Sequence, residues 1–206
     1  MIKSGSVQYT IWVIVLVAVG VVAWSARGVR HEAVQTDERE PEVQDIGILL
    51  AQAAPVTSDN TVVSVHFSPG GGCTAVLVRL IDSARDSINL LAYSFTSKPI
   101  SDALIRAKNR GVQVEMVLDK SMLSSKYNRG VECGEAGIDV RYDRVHAIAH
   151  NKITIIDAVI VVGGSFNYTS SAELRNAENM TVMTSASIAN VYLSNFRLHR
   201  DHAKSE

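Results

Sequence analysis

The sequence predicts an α/β domain, a mixed but largely parallel sheet with helices on both faces. Three observations lead there. From Thr61 onward, short β-branched runs alternate with segments whose apolar residues recur every three or four positions. Glycine-containing turns such as Ser68 to Gly72 and Gly111 punctuate that alternation. The run SINLLAYSF reads as a buried strand, as expected where helices cover both faces of a sheet.

Taken in order, TVVSVHF (61–67) is a strand, and after the SPGGG turn a helix gathers Val76, Leu77, Leu80, Ile81 and Ala84 on one face. SINLLAYSF (87–95) is the next strand, residues 98–109 form a helix ended by Gly111, and VQVEMVLD (112–119) is a further strand. Residues 121–135 read as loop and helix, and IDVRY (138–142) as a strand. Two short strands follow, from His150 to Asp157 and on to Gly163, with a polar turn through Gly164, Ser165, Phe166 and Asn167. NMTVMT (179–184) is the last strand, and residues 187–202 make a closing amphipathic helix with Ile188, Val191, Tyr192 and Phe196 inward.

Two segments precede this domain. Residues 9–26 form an 18-residue apolar run, near the lower limit for crossing a bilayer. It is either an uncleaved transmembrane anchor or a signal peptide cut near Ala23-Trp24-Ser25, and the single Lys3 ahead of it favours the anchor. Lys3 and the amino terminus on one side nearly balance Arg27 and Arg30 on the other, so orientation is weakly set. An exported domain on the periplasmic side of a bacterial inner membrane is the favoured placement. Residues 27–60 carry DEREPEVQD and a small-residue stretch, the composition of an acidic linker.

The chain has 206 residues, 47% hydrophobic and 20% charged, which excludes disordered and fibrous classes. Net charge is −1, but residues 61–206 hold 16 Lys and Arg against 14 Asp and Glu, so the folded part is mildly basic. That permits nucleic acid or anionic lipid as a partner and demands neither. Cys73 and Cys133 lack metal-ligand spacing and read as buried thiols. His146, His199 and His202 fit no pattern and read as surface residues.

The chemistry concentrates between His150 and Glu178. Side chains two apart on a strand share a face, so His150 and Lys152 present an imidazole and an ammonium to one small anion. Seven strand steps of ~3.3 Å would put Asp157 ~23 Å from His150, too far to orient that ring, so Asp157 is expected to brace the turn.

His150-x-Lys152-x4-Asp157 resembles the HKD motif of the phospholipase D superfamily, and Gly164-Ser165-x-Asn167 resembles its trailing GS-x-N. AYSFTS (92–97), VHFSP (65–69) and Asn176-Ala177-Glu178-Asn179 are similar to the small single-motif bacterial endonucleases of that superfamily. The resemblance implies that His150 attacks phosphorus to give a phosphohistidine, while a second histidine protonates the leaving oxygen and then activates water. Lys152, Ser165 and Asn167 would hold the nonbridging oxygens, with no metal and no cofactor required. Glu178 would accept the second ring proton of His150. Because the chain has one HxK motif, the resemblance implies a homodimer whose two His150 rings share one site.

The leading expectation is a metal-independent endonuclease of little sequence preference, with His66, Lys120, Lys126 and Arg129 as a substrate rim. The first alternative is a phospholipase acting on a phosphatidyl headgroup or cardiolipin, to which the anchor and Met122 and Leu123 would suit a membrane substrate. A non-catalytic member binding nucleic acid or lipid is the third.

Overall fold

The computed structural model describes residues 61–205. The expected membrane segment and acidic linker lie outside the described residues. Among those described, no helix is long and apolar enough to cross a membrane.

A seven-stranded sheet runs in the order β1-β7-β6-β5-β2-β3-β4. Its strands are β1 (Val62–Ser68), β2 (Ser87–Ala92), β3 (Gln113–Asp119), β4 (Asp139–Asp143), β5 (Lys152–Ile156), β6 (Ile160–Gly164) and β7 (Glu178–Thr184). Between and after them lie α1 (Cys73–Ser83), α2 (Lys98–Asn109), α3 (Gly130–Glu135), α4 (Ser170–Leu174) and α5 (Ala186–His202). A short 3-10 turn, Lys120–Ser124, follows β3.

The sheet is mixed, but the expectation that it is largely parallel fails. Only β2–β3 and β3–β4 pair in parallel, through the right-length crossovers that α2 and α3 provide; the other four pairings are antiparallel. The connection between β5 and β6 explains much of this, since three residues can close a hairpin and cannot make a crossover.

Helices do cover both faces. Leu77 and Ile81 of α1, and Ile100, Ala103, Leu104 and Ala107 of α2, pack on Ile88, Leu90, Val114, Met116 and Leu118. On the opposite face Ala189, Leu193 and Phe196 of α5 pack on Leu91, Val117, Ile153, Ile155 and Val161. Successive residues of β2 and β3 therefore feed different cores, Leu90 and Met116 one and Leu91 and Val117 the other, which is why both strands carry adjacent apolar residues. Ile188 and Tyr192 of α5 pack against its core as expected, whereas Val191 is exposed at 40% because the buried stripe runs through Ala189 instead.

The turn from β5 to β6 holds Asp157 and Ala158 at φ 52° and 53°, closed by the Val159 N–H donating to the Ile156 carbonyl at 3.1 Å. The Asp157 carboxylate accepts the backbone N–H groups of Arg85, Asp86 and Ser87 at 2.8 to 3.2 Å, clamping the start of β2 to the hairpin. Burial pushes this carboxyl up, but the three N–H bonds outweigh it and hold it below its ordinary range.

Candidate active site

Four pieces of chain converge at one end of the sheet's interior strands. β5 starts at Lys152, paired with Ala92 at the end of β2, so the residues just outside these ends, His150 and Tyr93, become neighbours. The Tyr93 N–H donates to the Asn151 carbonyl at 3.0 Å, and the Tyr93 and His150 rings lie 4.7 Å apart between centroids. The segment after β6 is stitched alongside: the Tyr168 N–H donates to the Ser94 carbonyl, and the Thr96 and Ser97 N–H groups donate to the Tyr168 carbonyl. Beneath, Tyr168 and Thr154 share a buried hydroxyl bond of 2.8 Å. The fourth piece is the start of β7, where the Ser165 N–H donates to the Asn179 carbonyl.

Lys152 is buried at 6%, its ammonium donating to the His150 carbonyl at 2.7 Å and lying 5.2 Å from the centre of the Tyr93 ring. Burial lowers its pKa from the ordinary lysine value, and the Glu178 carboxylate partly restores it. His150 is exposed, and its ring makes no hydrogen bond to any described residue. An imidazole that contacts only the Tyr93 ring can accept a ligand at its nitrogens without first breaking a hydrogen bond.

The expected Glu178 to His150 bond is not made. Glu178 accepts the Ser165 hydroxyl at 2.6 Å and the Asn176 amide at 2.9 Å. Ser165 in turn accepts the Asn179 N–H at 3.1 Å, so its single proton is committed to Glu178 and not to an incoming anion. Gly164 permits this arrangement: its φ is 144°, and a Cβ there would stand 2.4 Å from the Asn179 carbonyl oxygen. Asn167 has a buried Oδ1 without a partner.

The rim residues are divided. Lys120 is exposed and donates to the His146 carbonyl at 2.8 Å, and Lys126 lies over the Tyr127 ring. Arg129 is taken up by Glu132 at 2.9 Å. His66 lies half-buried on β1 against the Ser64 hydroxyl. The glycine turn before α1 faces no free helix start, because Glu173 already accepts the Thr74 N–H at 2.7 Å.

Sequence reasoning missed two features. Tyr93 lies inside the AYSFTS stretch yet carries no motif signal of its own. The second is a cluster of Asp143, His146, His199 and His202, three of which were expected at the surface. The rings surround the Asp143 carboxylate, which is fully buried. Burial pushes that carboxyl up, but N–H groups of His146 and Val145 and the His202 and His146 rings hold it well below the usual range. The His199-x-x-His202 spacing on a helix was the available signal. Cys73 and Cys133 are buried free thiols as expected, with Cys133 pushed up to about 12 by burial.

A family model described as "Cardiolipin synthase, PLD-like domain" matches residues 77–200. The chain is 46% identical over 134 residues to a phospholipase D of Rickettsia bellii, covering 65% of this chain and 67% of that protein. It is 28% identical over 184 residues to the mitochondrial cardiolipin hydrolase of Chlamydomonas reinhardtii, covering 78% and 82%. The crystal structure of Nuc from Salmonella typhimurium, a phospholipase D family member, superposes with a TM-score of 0.69 at 34% identity, covering 71% of this chain and 99% of that one. With His150 and Lys152 at one end of β5, Asp157 at the other, and a family model spanning more than half its length, the chain belongs to the phospholipase D superfamily and carries its hydrolase domain.

Proposed function

We propose that the protein is an endonuclease acting on DNA or RNA through a phosphohistidine at His150, without a catalytic metal. The observation that carries this reading is the exposed, unbonded His150 ring beside the buried Lys152 ammonium. A lone pair of that ring attacks phosphorus and the P–O bond to the departing alkoxide breaks. The alkoxide takes its proton from His150 of a second copy, which then removes a proton from water as that water attacks phosphorus and the P–N bond breaks. Lys152 neutralises charge on the nonbridging oxygens, and Asn167 supplies an amide to them after a half-turn that makes its unmet acceptor a donor. Ser165 joins only if its proton leaves Glu178, so Glu178 is proposed to hold Ser165 at rest and to turn to His150 once substrate is bound.

A second copy is needed because in-line displacement wants the nucleophile and the proton donor on opposite sides of phosphorus, and each chain supplies one HxK. Exposure of His150 just ahead of β5 suits both a partner and a long polyanion. A surface hollow of about 320 Å³ lies elsewhere, beside α3, and touches none of these residues.

The phospholipase reading is favoured by the relatives named phospholipase D and cardiolipin hydrolase. Exposed Val145 and Ile148, in the loop leading to His150, would suit a lipid surface. Incubating the protein and His150→Ala with plasmid DNA, RNA and cardiolipin vesicles, with no divalent cation added, separates the two. Nicking of plasmid by the wild type alone supports the nuclease, and hydrolysis of lipid alone replaces it with the phospholipase. No turnover of any substrate overturns both.

A further inference from the structure

The residues that sequence reasoning left at the surface build a second site. Asp143 ends β4, His146 lies three residues on in the loop to His150, and His199 and His202 occupy the last turn of α5. Their donor atoms all lie within 4.8 Å of one another. The Asp143 Oδ2 is 2.7 Å from His146 Nδ1, 3.3 Å from His199 Nδ1 and 3.1 Å from His202 Nε2. The three rings stand 5.0, 5.1 and 5.4 Å apart, a near-equilateral set about one oxygen. Four ligands at ~2.0 Å from a tetrahedral ion are ~3.3 Å from each other; the three oxygen-to-nitrogen distances are already close to that, and the ring nitrogens, within 4.8 Å of one another, reach it by small rotations of the rings.

We propose that Asp143, His146, His199 and His202 bind a structural zinc ion. Three imidazoles and one carboxylate suit a borderline cation, and four protein ligands leave no open position for substrate, which is the mark of a structural rather than a catalytic site. The Asp143 Oδ1 is already turned the other way, accepting the Val145 and His146 N–H groups at 2.9 and 3.1 Å, and this aims Oδ2 at the rings. The last turn of α5 adds the negative end of a 17-residue helix. Lys120 opposes, with its ammonium on the His146 carbonyl, but it bonds from outside the ring cluster. As hydrogen bonds alone the arrangement crowds three ring N–H groups onto one oxygen; zinc takes three lone pairs instead and releases any protons held there.

The ion would fasten the chain's closing helix to the loop that delivers His150. Asp119 holds the other end of that loop, accepting the Ala149 N–H at 2.7 Å. The inference stands independently of the reaction at His150, and its test is binding rather than turnover. Untagged full-length protein, stripped with chelator, is titrated with Zn²⁺ by calorimetry and with Co²⁺ as a visible probe of coordination. One equivalent per chain, visible bands of tetrahedral Co²⁺ displaced by Zn²⁺, and a zinc-induced rise in Tm are expected. His146→Ala, in an exposed loop where folding is not at stake, should weaken zinc at least about tenfold, and the His199→Ala/His202→Ala pair should abolish it. His66→Ala should bind as the wild type does. Absence of binding by the wild type, or unchanged affinity in His146→Ala, would overturn the assignment.

Discussion

Burying an ammonium is costly unless its hydrogens are satisfied, and Lys152 at 6% exposure has one carbonyl, an aromatic face and a distant carboxylate. A phosphoryl oxygen would satisfy the remaining donors, so the residue is poised for an anion. Its pKa lies below the ordinary 10.5, mainly through desolvation. Between the folded value and 10.5 the unfolded chain binds more protons, so this residue's contribution to stability rises with pH across that window. Activity that needs the ammonium falls over the same window, and the alkaline limb of kcat/KM is expected to begin below the usual lysine range. A limb unmoved in Lys152→Arg would show that another group sets it. His150 is exposed and makes no internal bond, so His150→Ala should cost at least about a thousandfold in turnover with Tm unchanged. The motif marked His150 and Lys152 together because it acts over three residues, but the expected strand does not reach His150, which lies just ahead of β5 with its ring exposed while Lys152 is buried. The Ser165 to Glu178 bond was not, because it depends on how β6 and β7 register.

The β5–β6 hairpin shows what an element contributes. Asp157 belongs to the HKD motif, yet it clamps the start of β2 from the far end of β5. Asp157→Asn tolerates the positive φ but weakens three charge-assisted bonds, and a loss of about 2 kcal/mol is expected in denaturant unfolding. Because its folded pKa is depressed, that stability is present above the ordinary value of 3.8 and is lost as pH falls through the folded value. The gap in Tm between wild type and Asp157→Asn should therefore close in acid. Ala158 pays for its left-handed backbone, and Ala158→Gly should stabilise by about 0.5 kcal/mol, readable as a shifted denaturation midpoint. The bracing role of Asp157 was legible from distance alone. The sheet's direction was misjudged because helix and strand alternation through β4 was extended past it, although three residues between Ile156 and Ile160 already demanded an antiparallel turn.

Across the described residues, the last segment returns to β4. Tyr142 of β4 and Lys204 after α5 exchange backbone hydrogen bonds, and this return brings His199 and His202 to Asp143. Contacts spanning more than fifty residues leave little trace in a single sequence, which is why the histidine cluster looked like scattered surface groups. The proposed reaction, by contrast, assigns each chain one nucleophile, His150, and takes the opposing acid from a second copy. Sedimentation should give a dimer, and a fully active monomer would contradict the shared site. The most direct test is rapid acid-free quenching of the working enzyme followed by mass spectrometry of its peptides. A phosphoryl adduct on His150, absent from His150→Ala, is the expected result; steady turnover with no modified histidine, or with the adduct elsewhere, would contradict the account.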